Sequence, residues 1–211
     1  MEHDNALISI SEILIRLRDT LPSERISIAD LLEAFHERGF GFILLIFSVP
    51  MALPIPVPPG INVLLATPLI LLTAQQALGR HTIWLPEKVK NKTIQSSKLI
   101  VVINASLSWF KRIEHFTKPR LEFATQGVFL NLIGIFGLIM ALSVCVPLPL
   151  TNTVPSMGIA LMSIGTIMRD GAFVMIGAVV GVVWVLALSA IIIFLGTEGI
   201  PYVIEIIKGY V

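Results

Sequence analysis

The chain has 211 residues, of which 55% are hydrophobic and 14% charged, with a formal net charge of +1; its mean hydropathy is +0.87. This composition lies outside the usual range of soluble domains and makes lipid the solvent for most of the chain. A net charge near zero excludes a global field that would attract nucleic acid or an acidic ligand, so the placement of individual charges carries the information.

Eight of the fourteen acids fall in residues 1–38, and nine of the fifteen Lys and Arg fall between Arg80 and Arg120 against two acids there. The single cysteine, Cys145, sits in an apolar tract, which leaves no intrachain disulfide and points to no thiolate site. Met1-Glu2-His3-Asp4 lacks a basic start followed by an apolar core, so insertion is expected to be driven by internal tracts rather than by a cleaved leader.

In residues 5–19, Leu7, Ile10, Leu14 and Leu17 recur at helical spacing with Glu12, Arg16 and Asp19 elsewhere, predicting an amphipathic helix ended by Leu21-Pro22. Ser27-Ile28-Ala29-Asp30 reads as a capped helix start, with Leu31, Leu32 and Phe35 on one face and Glu33 and Glu37 on the other. Phe40 to Gly79 is forty residues without Asp, Glu, Lys or Arg, broken by Pro54-Ile55-Pro56-Val57-Pro58-Pro59-Gly60. The fourteen residues before this knot give about 21 Å of helix, short of the roughly 30 Å hydrocarbon core. The eighteen after it, Ile61–Leu78, contain Pro68 as a kink and Asn62, Thr67, Thr73, Gln75 and Gln76 as polar members. Backbone freed by such a break is tolerated at membrane depth only under cover of protein or water.

Arg80 opens a basic segment with Trp84 as an interfacial anchor. The twelve apolar residues 99–110, bracketed by Lys98 and Lys111, suit an interfacial or buried helix better than a span. Phe123–Met168 is a second uncharged tract with its own proline-rich middle, Val146-Pro147-Leu148-Pro149-Leu150-Thr151-Asn152-Thr153-Val154-Pro155, closing at Arg169-Asp170-Gly171. The third tract, Gly171–Thr197, has no proline and carries Gly177 and Gly181, the profile of one complete, closely packed transmembrane helix.

Pro54-Ile55-Pro56 laid on Pro147-Leu148-Pro149 gives an internal repeat at a spacing of 93 residues. Proline-broken segments in matching halves point to a site near the breaks, as in transporter repeats. The candidate substrate contacts are therefore Pro54, Pro56, Pro59, Gly60, Asn62, Gln75, Gln76, Pro147, Pro149, Asn152 and Pro155; the plainer alternative is a tight hairpin scaffold whose polar groups are satisfied internally. The lysines of 80–120 favour both hairpins entering from one face; a crossing by 94–110 would make the repeats inverted. At the tract borders Arg80, Arg120, Arg169 and Asp170 are candidates for headgroup contact or for structural charge, since arginine's fork suits phosphate. His3, His36, His81 and His115 are scattered, so neither a metal set nor a cofactor site is expected, and no catalytic motif is present.

The expected fold class is all-α: a polytopic helical membrane protein with two proline-broken hairpin repeats. Its parts are amphipathic N-terminal helices (1–38), a membrane domain (39–197: repeat one 39–80, basic connector 81–120, repeat two 123–171, transmembrane helix 172–197) and a short tail (198–211).

Arg38-Gly39-Phe40-Gly41, the proline knot, Gln75 and Gln76 before Gly79-Arg80, Trp84-Leu85-Pro86, Pro119-Arg120, Pro147-Leu148-Pro149 with Asn152 and Pro155, and Arg169-Asp170-Gly171 occur together and in order. In these motifs, over roughly residues 27–195, the chain resembles the ExoD family of bacterial membrane proteins. Thr151 departs from the small residue, often glycine, of the family pattern. The resemblance implies a multi-pass inner-membrane protein associated with exopolysaccharide synthesis, and it supplies no catalytic mechanism. The expected role is binding or moving a membrane-borne substrate, lipid-linked or ionic, at the breaks, without being an enzyme. The alternative is a non-transporting assembly or regulatory partner whose N-terminal helices dock another protein, and an enzyme acting on headgroups ranks third. Expected partners are membrane lipid and polysaccharide-synthesis proteins, with no nucleic acid and homo-oligomerisation left open.

Overall fold

A computed structural model describes residues 9–35, 38–53, 60–80, 82–146 and 152–209, the side chains of 195 and 197–209 excepted. Among these the fold is all-α apart from one small ribbon. The helices are α1 (Ile10–Thr20), α2 (Ile28–Phe35), α3 (Gly39–Ala52), α4 (Ile61–Ala77), α5 (Glu87–Lys90), α6 (Ser96–Phe116), α7 (Val128–Val144), α8 (Thr153–Met168) and α9 (Gly171–Gly209), with a 3-10 turn at Glu122–Thr125.

The amphipathic start of the chain is helical from Ile10, as its spacing predicts, and Leu7 lies outside the described residues. Ser9 caps α1 by accepting from the Glu12 amide at 3.1 Å, and Ile10, Leu14 and Leu17 are buried. That stripe packs with Ile103, Phe35, Phe42 and Ile167, and Glu114 of α6 accepts from the Ser11 amide at 2.7 Å and from its hydroxyl at 2.6 Å. The apolar face of α1 is thus covered from within the chain. Ser27 caps α2, its Oγ accepting from the Asp30 amide at 3.1 Å.

Two features escaped the sequence. Arg25–Ser27 (β1) pairs antiparallel with Thr93–Gln95 (β2), because three-residue strands are too short to show a period of two. The connector helix runs from Ser96 to Phe116, well beyond the apolar core 99–110, because its amphipathic ends extend the hydrogen-bonded ladder past the charges that bracket the core.

The core is built from α3, α4, α7 and α8. The extensive packing is α4 on α7 and α3 on α8, while hairpin partners α3/α4 and α7/α8 touch less; α8 also packs along α9. Glycines set these distances. A Cβ on Gly41 would lie 2.6 Å from Ile167 Cγ1 and 3.2 Å from Ser163 O, and one on Gly134 would lie 2.2 Å from Ala77 N. Gly158 and Gly177 bring α8 and α9 into backbone contact in the same way, the close approach that small residues permit between membrane helices.

Helix α9 continues through the segment expected to be a tail, as far as Gly209. Its portion Gly171–Phe194 has a mean hydropathy of 2.8 with 11% of the window buried. It is about 36 Å long, enough for the hydrocarbon core, and it is neither an enclosed core helix nor near the N-terminus. α3, α4, α7 and α8, at 14, 17, 17 and 16 residues, are apolar and shorter than a standard span. Leu64 and Leu71 of α4, Ile135 and Leu142 of α7, and Val179, Val183 and Leu186 of α9 are all exposed.

Candidate functional site

The outer ends of all four core helices meet. The start of α3 (Arg38, Phe40), the end of α4 (Gln76, Gly79, Arg80), the approach to α7 (Thr125–Asn131) and the end of α8 (Thr166, Arg169) line one cavity of about 860 Å³, with Ile13, Arg16, Leu17 and Thr20 of α1 along its side. The start of α3 and the end of α4, and the start of α7 and the end of α8, therefore lie together at this end.

Helix-end geometry aims the arginines. α4 closes in a Schellman turn: Gly79 N donates to Gln76 O at 3.0 Å and Arg80 N to Gln75 O at 3.1 Å, with Gly79 in the left-handed region at φ 76°. α8 closes in the same turn, Arg169 N donating to Thr166 O at 3.4 Å and Asp170 N to Gly165 O at 2.8 Å. Here, however, the left-handed position is held by Arg169 at φ 54°, where glycine is the ordinary choice. The turn geometry thus matches Gly79 with Arg169, two residues out from an alignment of Gly79 with Gly171.

Among the described residues the lining holds four arginines, Arg16, Arg38, Arg80 and Arg169, and no Asp or Glu. Arg16 is at the rim, paired with the exposed Glu12 at 2.8 Å, and Arg80 is exposed. Arg38 and Arg169 are half-buried. Burial, followed by the like charge of Arg169, holds the Arg38 guanidinium below its ordinary pKa. Gln76 is 4% exposed, and its Oε1 is buried without a hydrogen-bond donor.

Other sequence candidates fall elsewhere. Gln75 fixes the chain after α4, its Oε1 accepting from Trp84 N at 2.7 Å and its Nε2 donating to Trp84 O at 3.2 Å. Asp170 is fully buried and clasps the connector, accepting from Lys118 N and Ala172 N at 3.0 Å each. Arg120 contributes its carbonyl to Gly171 N at 2.7 Å and lies outside the cavity lining. Pro54, Pro56, Pro59, Pro147 and Pro149 lie outside the described residues. Beside the breaks, Gly60 opens α4 at φ 92°, Pro155 is buried in the first turn of α8, and Asn152 precedes that helix with its carbonyl accepting from Ser156 N. Asn62 Oδ1 and Ser156 Oγ are buried there without partners. Among the described residues no three His, Cys, Asp or Glu side chains gather as a metal-ligand set.

Arg16 and Arg38 are the cavity arginines that the sequence did not single out as site candidates, and Gln126, Asn131 and Thr166 were likewise not among them. Arg38 stood in view as the charge bordering the first uncharged tract, and Arg16 looked like an ordinary solvated helix face.

No solved structure matches the chain significantly. An uncharacterized protein of Synechocystis sp. (strain ATCC 27184 / PCC 6803 / Kazusa), slr1875, is 35% identical over 187 residues, 88% of this chain and 87% of that protein. Protein ExoD of Rhizobium meliloti (strain 1021) is 26% identical over 178 residues, 82% of this chain and 73% of that protein. The profile of the family described as "Exopolysaccharide synthesis, ExoD" matches residues 10–190, and the chain belongs to the ExoD family, whose role is in exopolysaccharide synthesis.

Proposed function

We propose that this is a multi-pass inner-membrane protein built from two repeated helical hairpins, and that it supports exopolysaccharide synthesis by binding a membrane-borne, lipid-linked anionic substrate. The observation that carries the reading is the arginine-lined cavity at the meeting point of four helix ends. The chamber carries arginines on a largely apolar lining, which suits a ligand with a charged head and a lipid tail.

Three observations support the repeat and its orientation. Gly41 and Gly134 are 93 residues apart, the spacing of the proline motifs, and each sits against the end of the other hairpin's second helix. The cross-hairpin pairs α3/α8 and α4/α7 exchange under a two-fold. Since both hairpins open at the cavity, they enter from one face. The basic connector lies at that end, tied there by Lys118 and Arg120, and the positive-inside rule makes the face cytoplasmic. α6 exposes Val101, Val102, Trp109 and Phe116 beside Lys98, Lys111 and Arg112, as expected of a helix lying in the interface.

The test is reconstitution in liposomes with a polyprenyl-linked diphosphate oligosaccharide, scoring retention and transbilayer movement. Saturable binding, with or without movement, is the expected result. Absence of both, together with normal polysaccharide production in cells carrying cavity variants, overturns the reading.

A further inference from the structure

We propose that α6 seats an exposed apolar stripe, Val102, Trp109 and Phe116, on an anionic lipid surface, with Lys98 and Arg112 at the level of the phosphates. This deepens the reading above, on which it rests: α6 lies in the membrane interface, and its partner there is lipid with a net negative headgroup.

The stripe follows from the helical period. At about 100° per residue, Leu99, Ile103, Leu107 and Phe110 fall on one face of α6, and that face packs in the cluster built around α1. Val102, Trp109 and Phe116 recur every seventh residue, on a second line about 120° round the helix. They are 62%, 70% and 70% exposed. The chain thus covers one of two apolar lines on α6 and leaves the other for a neighbour outside it.

Charge complementarity selects that neighbour. Lys98 precedes Val102 by four residues and Arg112 precedes Phe116 by four, so an exposed cation stands one helical turn from each end of the stripe. The one acid of α6, Glu114, is turned to α1, where it accepts from the Ser11 amide and hydroxyl. An apolar line with cations at its rim and no carboxylate fits a surface that is apolar beneath and negative at its edge. Lysine and arginine stems can lie along the apolar face with their heads at phosphates, and tryptophan favours the same depth.

Tertiary contacts hold α6 at the level where such a surface begins. Lys118 N, two residues past Phe116, donates to Asp170 Oδ2 at 3.0 Å, and Arg120 O accepts from Gly171 N at 2.7 Å. Gly171 opens the apolar length of α9 that runs to Phe194, so the end of α6 is level with the start of that length. Further back, Phe110 meets Phe42 in the first turn of α3 edge-on, with ring centroids 6.3 Å apart, and Ile103 belongs to the same cluster as Phe42 and Ile167 of α8. These ties keep α6 along the end of the bundle rather than projecting from it.

The experiment uses the full chain with Cys145→Ser and one new cysteine, Val102→Cys on the stripe or Ser108→Cys on the polar side, labelled with the fluorophore NBD. Each is placed at one copy per nanodisc in phosphatidylcholine, with or without phosphatidylglycerol. With phosphatidylglycerol, the probe at 102 shifts to the blue and is quenched by lipid brominated near the headgroup, while the probe at 108 stays open to aqueous iodide. Lys98→Gln with Arg112→Gln lowers the ratio of seated to free helix about fivefold for each cation removed, the worth of one basic residue at such a surface, and added salt lowers it as well. The proposal is overturned if the probe at 102 stays in water in both lipids, if it is equally immersed in both, or if the double variant changes nothing. Shielding that appears only in discs holding two copies would make the stripe a contact between chains, and equal shielding by polyglutamate in phosphatidylcholine discs would assign it to an acidic protein; either result overturns the lipid assignment. Alkaline extraction separates this proposal from the reading beneath it. Protein retained in membranes with position 102 in water loses the α6 contact alone, whereas protein released from them loses the membrane reading and this contact together.

Discussion

Replacing Gly134 by alanine is the most direct test of how the cavity is held together. The added Cβ would lie 2.2 Å from Ala77 N, 2.6 Å from Gln76 C and 2.7 Å from Ala77 Cα. All three are backbone atoms, so no rotamer change relieves the overlap, and α4 and α7 must separate by about 1 Å to restore ordinary contact. A gap of 0.5–1 Å forfeits roughly a quarter to a half of the dispersion well between facing atoms. Overpacking costs about 1–3 kcal/mol in general, and the rigid backbone contact puts this substitution at the upper end. For a chain of this size about 3 kcal/mol lowers Tm by roughly 6–12 °C, readable by fluorescence-detected size exclusion after heating in detergent. Gly196→Ala is the control, because a Cβ there meets nothing within 4 Å and alanine is the better helix former. Because Gln76 and Arg80 follow α4, the Gly134 variant should also weaken any cavity ligand. An unchanged Tm for Gly134→Ala, with Gly196→Ala also unchanged, would refute the close α4/α7 packing on which the cavity geometry depends.

Gly79→Ala places a side chain at φ 76° and should cost about 1 kcal/mol, whereas Arg169→Gly at the equivalent turn should stabilise by a similar amount; matched melts of the two variants check the opposite signs. Asp170→Asn turns an amide donor toward the Lys118 or Ala172 N–H, which should cost about 1–3 kcal/mol and speed amide exchange at those two positions while the α3/α8 core stays protected. Ser11→Ala with Glu114→Gln should loosen α1 from α6 by about 1 kcal/mol for each hydrogen bond weakened. Limited proteolysis should then cut near residues 20–24 first, and equal cleavage in the unaltered protein would contradict that role.

What the amino-acid sequence determined by itself was local and one-dimensional. The first uncharged tract set α3 and α4 within a residue of where they form, the second set α7 and α8 less closely, with α7 starting at Val128 in a tract that opens at Phe123, and Ser27 with Asp30 marked the start of α2, because tract length and caps are written along the chain. The charges bordering those tracts were legible as a group, yet their sorting was not. Tertiary structure turned Arg80 and Arg169 toward one chamber, added Arg38 and Arg16, and put Asp170 and Arg120 to structural use. It also converted Gln75 into a brace for Trp84 while leaving its neighbour Gln76 in the cavity, a division made by about 100° of helix rotation relative to α7. Helix ends meet according to which faces interlock, and glycines such as Gly41 and Gly134 set that fit through contacts with residues far away in the chain. Periodicity specifies which face of a helix is apolar; only the packed bundle decides which other helix covers it, and so which side chains share a site.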